Sequence, residues 1–75
     1  MGETVPFPGK SKRGDLAFFD NPEGKIVHVG ILLDQGQIIH ASGKVRVDKI
    51  DQEGIIDSSI NQRTHNLRGI KRYFS

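Results

Sequence analysis

Cysteine is absent from this 75-residue chain. That excludes a disulfide framework and a thiolate metal site, and the chain by itself cannot supply a catalytic thiol. Long apolar runs are missing as well: no stretch approaches the roughly 18–20 residues that a membrane-spanning helix requires. Met1-Gly2-Glu3 does not open a signal peptide, because no basic start with an apolar stretch follows. Apolar residues are scarce, 35% of the chain, against about 45–50% (glycine included) in globular proteins. The length allows one domain at most. A core this small rarely supplies more than about 3–5 kcal/mol of net stability without a staple. The net charge is only +2, which permits an anionic partner without arguing for one.

What is present reads as short strands. Residues 1–14 form an N-terminal arm, expected to be flexible: Pro6 and Pro8 disfavour helix, Gly9 and Gly14 loosen the backbone, and Lys10, Lys12 and Arg13 keep it in water. Leu16-Ala17-Phe18-Phe19 is a short strand with both faces covered, and Phe18 and Phe19 are expected in the core. Asp20-Asn21-Pro22-Glu23-Gly24 is turn chemistry. Residues 25–33 are rich in β-branched side chains that suit a pleated surface. Asp34-Gln35-Gly36 separates them from a second run, Gln37-Ile38-Ile39-His40-Ala41, as a hairpin. After Ser42-Gly43-Lys44, the segment Val45-Arg46-Val47-Asp48 alternates as a half-exposed strand. Residues 55–66 are polar and ambiguous, with Asp57 or Ser58 able to cap one helical turn. Residues 67–74 close the chain as a strand, with Tyr73 and Phe74 packing it against the first. The expected fold is mostly β: a small antiparallel five-stranded meander or partly open barrel.

The hairpin decides whether His28 and His40 can cooperate, because alternate side chains of a strand point to opposite faces. A two-residue turn at Gln35-Gly36 would put the two imidazoles on opposite faces. A three-residue loop pairs Leu33 with Gln37, Gly30 with His40 and His28 with Ser42. The imidazoles are then diagonal neighbours on one face, with Cβ atoms about 7 Å apart. The sequence favours the longer loop, a type I turn followed by glycine in the left-handed region at Gly36. Gly30 then leaves space across from His40. The opposite face, with Val27, Val29, Ile31, Leu33, Ile39 and Ala41, reads as core. The histidine face would be the one short of cover, exposing about 300–600 Å² of apolar surface and favouring self-association.

Two neighbouring histidines admit several readings. They can be satisfied, partly buried imidazoles. They can be metal ligands, but zinc needs three or four donors, and no carboxylate or cysteine follows at suggestive spacing, so no metal and no cofactor is expected. They can be a general base and its orienting partner, which requires a nucleophile. Ser42 is the only candidate in the hairpin and reads better as a polar turn residue. His65, within Arg63-Thr64-His65-Asn66, reads as a solvated loop residue. Lys10, Lys12, Arg13, Arg63, Arg68, Lys71 and Arg72 could form a basic surface, but aromatic residues are not interleaved as nucleic-acid stacking requires.

Gly14-Asp15-Leu16-Ala17-Phe18-Phe19, then His28-Val29-Gly30-Ile31, then His40-Ala41-Ser42 resemble successive motifs of the NlpC family, papain-like cysteine peptidases that hydrolyse bacterial cell-wall peptides. The resemblance runs from about Lys10 to Ile50 and more loosely to Phe74. It implies that His28 is the catalytic base, His40 the orienting residue of a Cys-His-His triad, and Ser42 a substrate-side residue. Asp15 at the strand start is expected to be a hydrogen bonder rather than a catalytic group. The implied substrate is murein stem peptide, cut beside a γ-linked D-glutamate, in the bacterial envelope or outside the cell. The family's cysteine lies upstream of the Gly-Asp-Leu strand, at the start of a helix. Residues 15–75 therefore resemble the sheet half of a papain-like α+β domain, to be completed by a helical half, and no peptidase activity is expected of this chain alone. The competing reading is a small β-barrel module that binds an anionic polymer or peptide without catalysis.

Overall fold

The computed structural model describes residues 3–6 and 11–73. The strands are β1 (Glu3–Thr4), β2 (Leu16–Asp20), β3 (Ile26–Leu32), β4 (Gln37–Ser42), β5 (Lys44–Asp51), β6 (Gly54–Asp57) and β7 (Gln62–Arg72). No helix occurs among the described residues. Neighbours pair antiparallel in the order β1-β7-β2-β3-β4-β5-β6, and β6 pairs back onto β7. Strands β2 to β7 thereby close into a six-stranded barrel, which leaves few sheet edges unpaired.

The closure corrects the expectation of five strands. The polar stretch expected to be ambiguous supplies β6 and the first half of β7, paired Ile55↔His65 and Ile56↔Arg63. Its pattern is thin because Ile55 is the one side chain there that is fully buried, while Gln62, Arg63 and Thr64 face solvent. Asp57 ends β6 by accepting hydrogen bonds from the Ser59 backbone N–H and hydroxyl, an Asx turn rather than a helix cap. At the other end, Glu3 and Thr4 pair with Arg72 and Lys71, and Val5 is buried. Lys10 and Phe74 lie outside the described residues, and Tyr73 is half exposed.

The hairpin register is the expected one: Gly30↔His40, Ile31↔Ile39 and Leu32↔Ile38, with the Leu33 N–H donating to the Gln37 carbonyl. The turn itself differs. Gln35 as well as Gly36 has positive φ, 62° and 71°, so the loop is not a type I turn. Two successive left-handed residues suit the right-handed twist of the flanking strands. Gly30 is required where it stands: a Cβ there would lie 2.6 Å from Ile38 Cδ1 and 3.1 Å from the His40 Cβ.

The assignment of faces is reversed. Ala17, Phe19, Leu32, Ile38, Ile50, Ile55 and Ile70 line the interior with His40 and Asp48, and Val5 joins this core. The face expected to be core is outside: Ile31 is 45% exposed, Val29 47% and Val27 59%. Phe18, between Val29 and Gly69 on that outer face, is only partly covered. The bare apolar surface is therefore on the valine side of the hairpin. Curvature explains the reversal. A six-stranded barrel has a narrow interior, and Leu32, Ile38, His40, Asp48 and Ile50 fill it, with His40 and Asp48 satisfying each other's polar groups.

Candidate active site

His28 lies on β3 directly opposite Phe19 of β2, next to the β-bulge between Phe19 and Asp20. His40 lies on β4 between Gly30 and Arg46. The β3–β4 ladder ends at Gly30–His40, short of the expected His28–Ser42 pair, and His28 reaches across just beyond it. Its Nε2 is 2.8 Å from His40 Nδ1, with the rings at 89°. His40 is 5% exposed, and its Nε2 is 2.8 Å from the Oδ2 of Asp48, itself 3% exposed.

Asp48 is the anchor of this row. Arg46 NH2 donates to its Oδ1 at 3.1 Å, and Arg46 Nε lies 2.7 Å from Oδ2 as an ion-pair contact without hydrogen-bond alignment. The Ser58 N–H also donates to Oδ1, at 3.4 Å. Arg46 in turn holds Asp57 at 2.9 Å. Burial alone would push the Asp48 carboxyl up. The bonds from His40, Arg46 and the Ser58 N–H outweigh it and hold the group below the ordinary carboxylate range.

An ionised Asp48 fixes the protons of a neutral row. The carboxylate only accepts, so Nε2 of neutral His40 carries the hydrogen and its Nδ1 is a bare acceptor. Nε2 of His28 is then the donor to that Nδ1. A neutral His28 has one ring hydrogen, so its Nδ1 presents a free lone pair. The row thus delivers one basic nitrogen, fixed in orientation by two hydrogen bonds and a buried charge. Burial lowers the His28 pKa, and the nearby His65 and His40 lower it further, so the ring is held neutral.

His65 is the residue that sequence reasoning misplaced. It sits half-buried on β7, stacked on His28 with centroids 4.1 Å apart and planes 21° from parallel. Phe19 touches both rings, at 5.7 Å and 6.0 Å. Burial, and then His40, push the His65 pKa down, against a smaller opposing pull from Asp48. Close approach of β6 makes this possible: a Cβ on Gly54, whose φ is 151°, would collide with the carbonyl oxygen of His65. The available signal was the alternation leading back from Leu67 to His65, which extends the last strand by two residues.

Asp48 and Arg46 were missed for a different reason. Alternation with Val45 and Val47 reads as charge on the wet face, yet the β4–β5 register places Arg46 opposite His40 and Asp48 opposite Ile38. Asp15 is structural, as expected. It accepts the Lys12 N–H and a bidentate Arg72 guanidinium, and the Arg72 hydrogen bond, stronger than the opposing effect of burial, lowers its pKa. Ser42 pairs through its backbone with Lys44; its side chain lies outside what the structure describes. The four arginines of the expected basic surface are paired: Arg13 with Asp34, Arg63 with Asp51, Arg68 with Asp20 and Arg72 with Asp15. Among the described residues no helix is long and apolar enough to cross a membrane.

Comparison with known proteins adds one finding: the sequence model of the NlpC/P60 family matches residues 2–64. No curated protein and no solved structure matches the chain.

Proposed function

The chain belongs to the NlpC/P60 family, and on that premise we propose that it carries the histidine-bearing part of a cell-wall hydrolase of the cysteine-peptidase type. His28 is the general base, His40 orients it and Asp48 anchors His40. The observation that carries the reading is the row His28–His40–Asp48, with both links at 2.8 Å. Such a row holds a base in one tautomer and stabilises the imidazolium that forms when it takes a proton.

The nucleophile has to be brought by another stretch of polypeptide, because this chain contains no cysteine. A thiol placed at His28 Nδ1 would give up its proton to that nitrogen. The resulting thiolate would favour the imidazolium form and offset the downward push of burial on His28. The substrate of this reading is a murein stem peptide beside γ-D-glutamate, with Ser42 on the substrate side, and the place of action is the bacterial envelope. The four arginines of the basic surface are each tied to an aspartate, which weakens the polyanion-binding alternative.

Cleavage of a γ-D-glutamyl peptide tests the proposal. The pure chain should be inactive. Addition of a cysteine-bearing helical segment from an NlpC/P60 domain should produce thiol-dependent cleavage that His28→Ala abolishes. Cleavage by the pure chain would remove the need for an external thiol. Complemented activity that survives His28→Ala would remove His28 from the role of base.

A further inference from the structure

The chain has three histidines and no cysteine, so apart from the thioether of Met1 its imidazoles are its only nitrogen or sulfur side-chain donors of the kind a borderline-soft metal prefers. Residues 28, 40 and 65 come from three different strands, yet all three rings converge. One ligand atom from each lies within 4.8 Å of the others. The preceding reading uses His28 and His40 and gives His65 no task.

We propose that His28, His40 and His65 form a binding site for a divalent metal ion of the zinc class, and that metal capture and the His28–His40 hydrogen bond exclude one another. The site stands independently of whether His28 acts as a base.

Four features support it. First, the number of donors fits: three imidazoles with a fourth position open to water is a common zinc arrangement. Second, the His40 Nε2 bond to Asp48 leaves Nδ1 as its metal-facing atom. A carboxylate behind a ligating imidazole is the usual outer support of such ligands, raising their basicity and fixing their orientation. Third, Phe19 packs against the rings of both His28 and His65, so an apolar wall already backs the site. Fourth, the movement required of the His28–His40 pair is small. Zinc–nitrogen bonds of about 2.0–2.1 Å in tetrahedral array place nitrogens roughly 3.4 Å apart. His28 Nε2 and His40 Nδ1, now 2.8 Å apart, have to separate by roughly half an ångström to meet that spacing. His65 has to turn out of its stack on His28, since stacked rings aim their lone pairs side by side. It gives up the ring stack on His28 and its contact with Thr64 Oγ1, at 2.9 Å on the exposed side.

The exclusion follows from the protons. Nε2 of His28 now carries hydrogen and has no lone pair for a metal. Capture requires that proton to move to Nδ1 through solvent, a change of tautomer with no net release from a neutral ring. The lone pair at Nδ1 is thereby consumed, so a metal-loaded chain has no free base at position 28.

The test is calorimetric titration of the full chain with zinc alone, read together with the imidazole N–H resonances. We expect one ion per chain at low-micromolar affinity and loss of the His28–His40 hydrogen-bonded proton signal in step with occupancy. His65→Ala should weaken binding by at least about tenfold while keeping that proton signal, which shows that the barrel is intact. His65→Gln should behave alike. Absence of saturable one-to-one binding would overturn the proposal. So would unchanged affinity in His65→Ala, or retention of the His28–His40 proton signal at full occupancy. None of these results touches thiol-dependent cleavage, which is measured separately.

Discussion

The two faces of the β3–β4–β5 sheet differ in a way that hydropathy alone gets backwards. The inner face carries His28, His40, Arg46 and Asp48 beside Leu32, Ile38 and Ile50. The outer face carries Val27, Val29, Ile31, Val45 and Val47, each at least 45% exposed. Burial here follows mutual satisfaction and curvature. Each of these four polar side chains makes at least one hydrogen bond to another of them, and a buried polar group so paired loses most of its penalty. The outer valines and isoleucines keep the strands extended through their β-branching while facing solvent.

If this contrast holds, substitutions on the two faces should have very different costs. The largest effect is expected for Phe19→Ala, which empties the centre of the barrel beside His28 and His65 and should cost about 3–5 kcal/mol. Chemical denaturation should find this variant largely unfolded, and near-native stability would mean that Phe19 is not central. Asp48→Asn comes next. It leaves Arg46 and His40 without their buried charge, and breaking such a pair costs about 3 kcal/mol. The same variant should lose the His28–His40 proton signal, since the tautomer of His40 is no longer dictated.

Acidification acts more gradually on the same inner face. The folded-state pKa values of His28 and His65 lie below the ordinary 6.5. The unfolded chain therefore binds more protons as pH falls through that value, and stability, full above it, declines toward the folded pKa values. Asp15 and Asp48 are likewise depressed below 3.8, which adds a second decline below about pH 4. Thermal melts across pH 3–8 should show both steps, and a flat profile between pH 7 and 5 would contradict the buried state of the imidazoles. The smallest effect is expected on the outer face, where Val45→Thr should alter stability by no more than about 0.5 kcal/mol. A loss several times larger would show that this face is covered in solution.

Much of the hairpin was legible in the sequence. The glycine in its loop and the β-branched runs on either side fix a three-residue connection, and from that the pairing of Gly30 with His40 and the shared face of the two histidines follow. The choice of inner face was not legible, because period-two alternation separates two faces without saying which way the sheet curls. Asp48 was hidden by the same ambiguity, as a charge alternating with valines. His65 was hidden by distance: its place depends on β7 returning to pair with β2 and β6, a non-local event with little trace in the residues around it.

That return has a consequence for the order of assembly. Hairpins β3–β4 and β4–β5 join neighbours in the chain and close over short loops, whereas the pairing of β7 with β2 joins residues such as Phe19 and Leu67, and non-local closures are slow to form. The first two imidazoles can therefore meet early, inside a local ribbon, and the third arrives only when the final strand docks. The trio is a clock hand for the fold, complete at the moment the topology is.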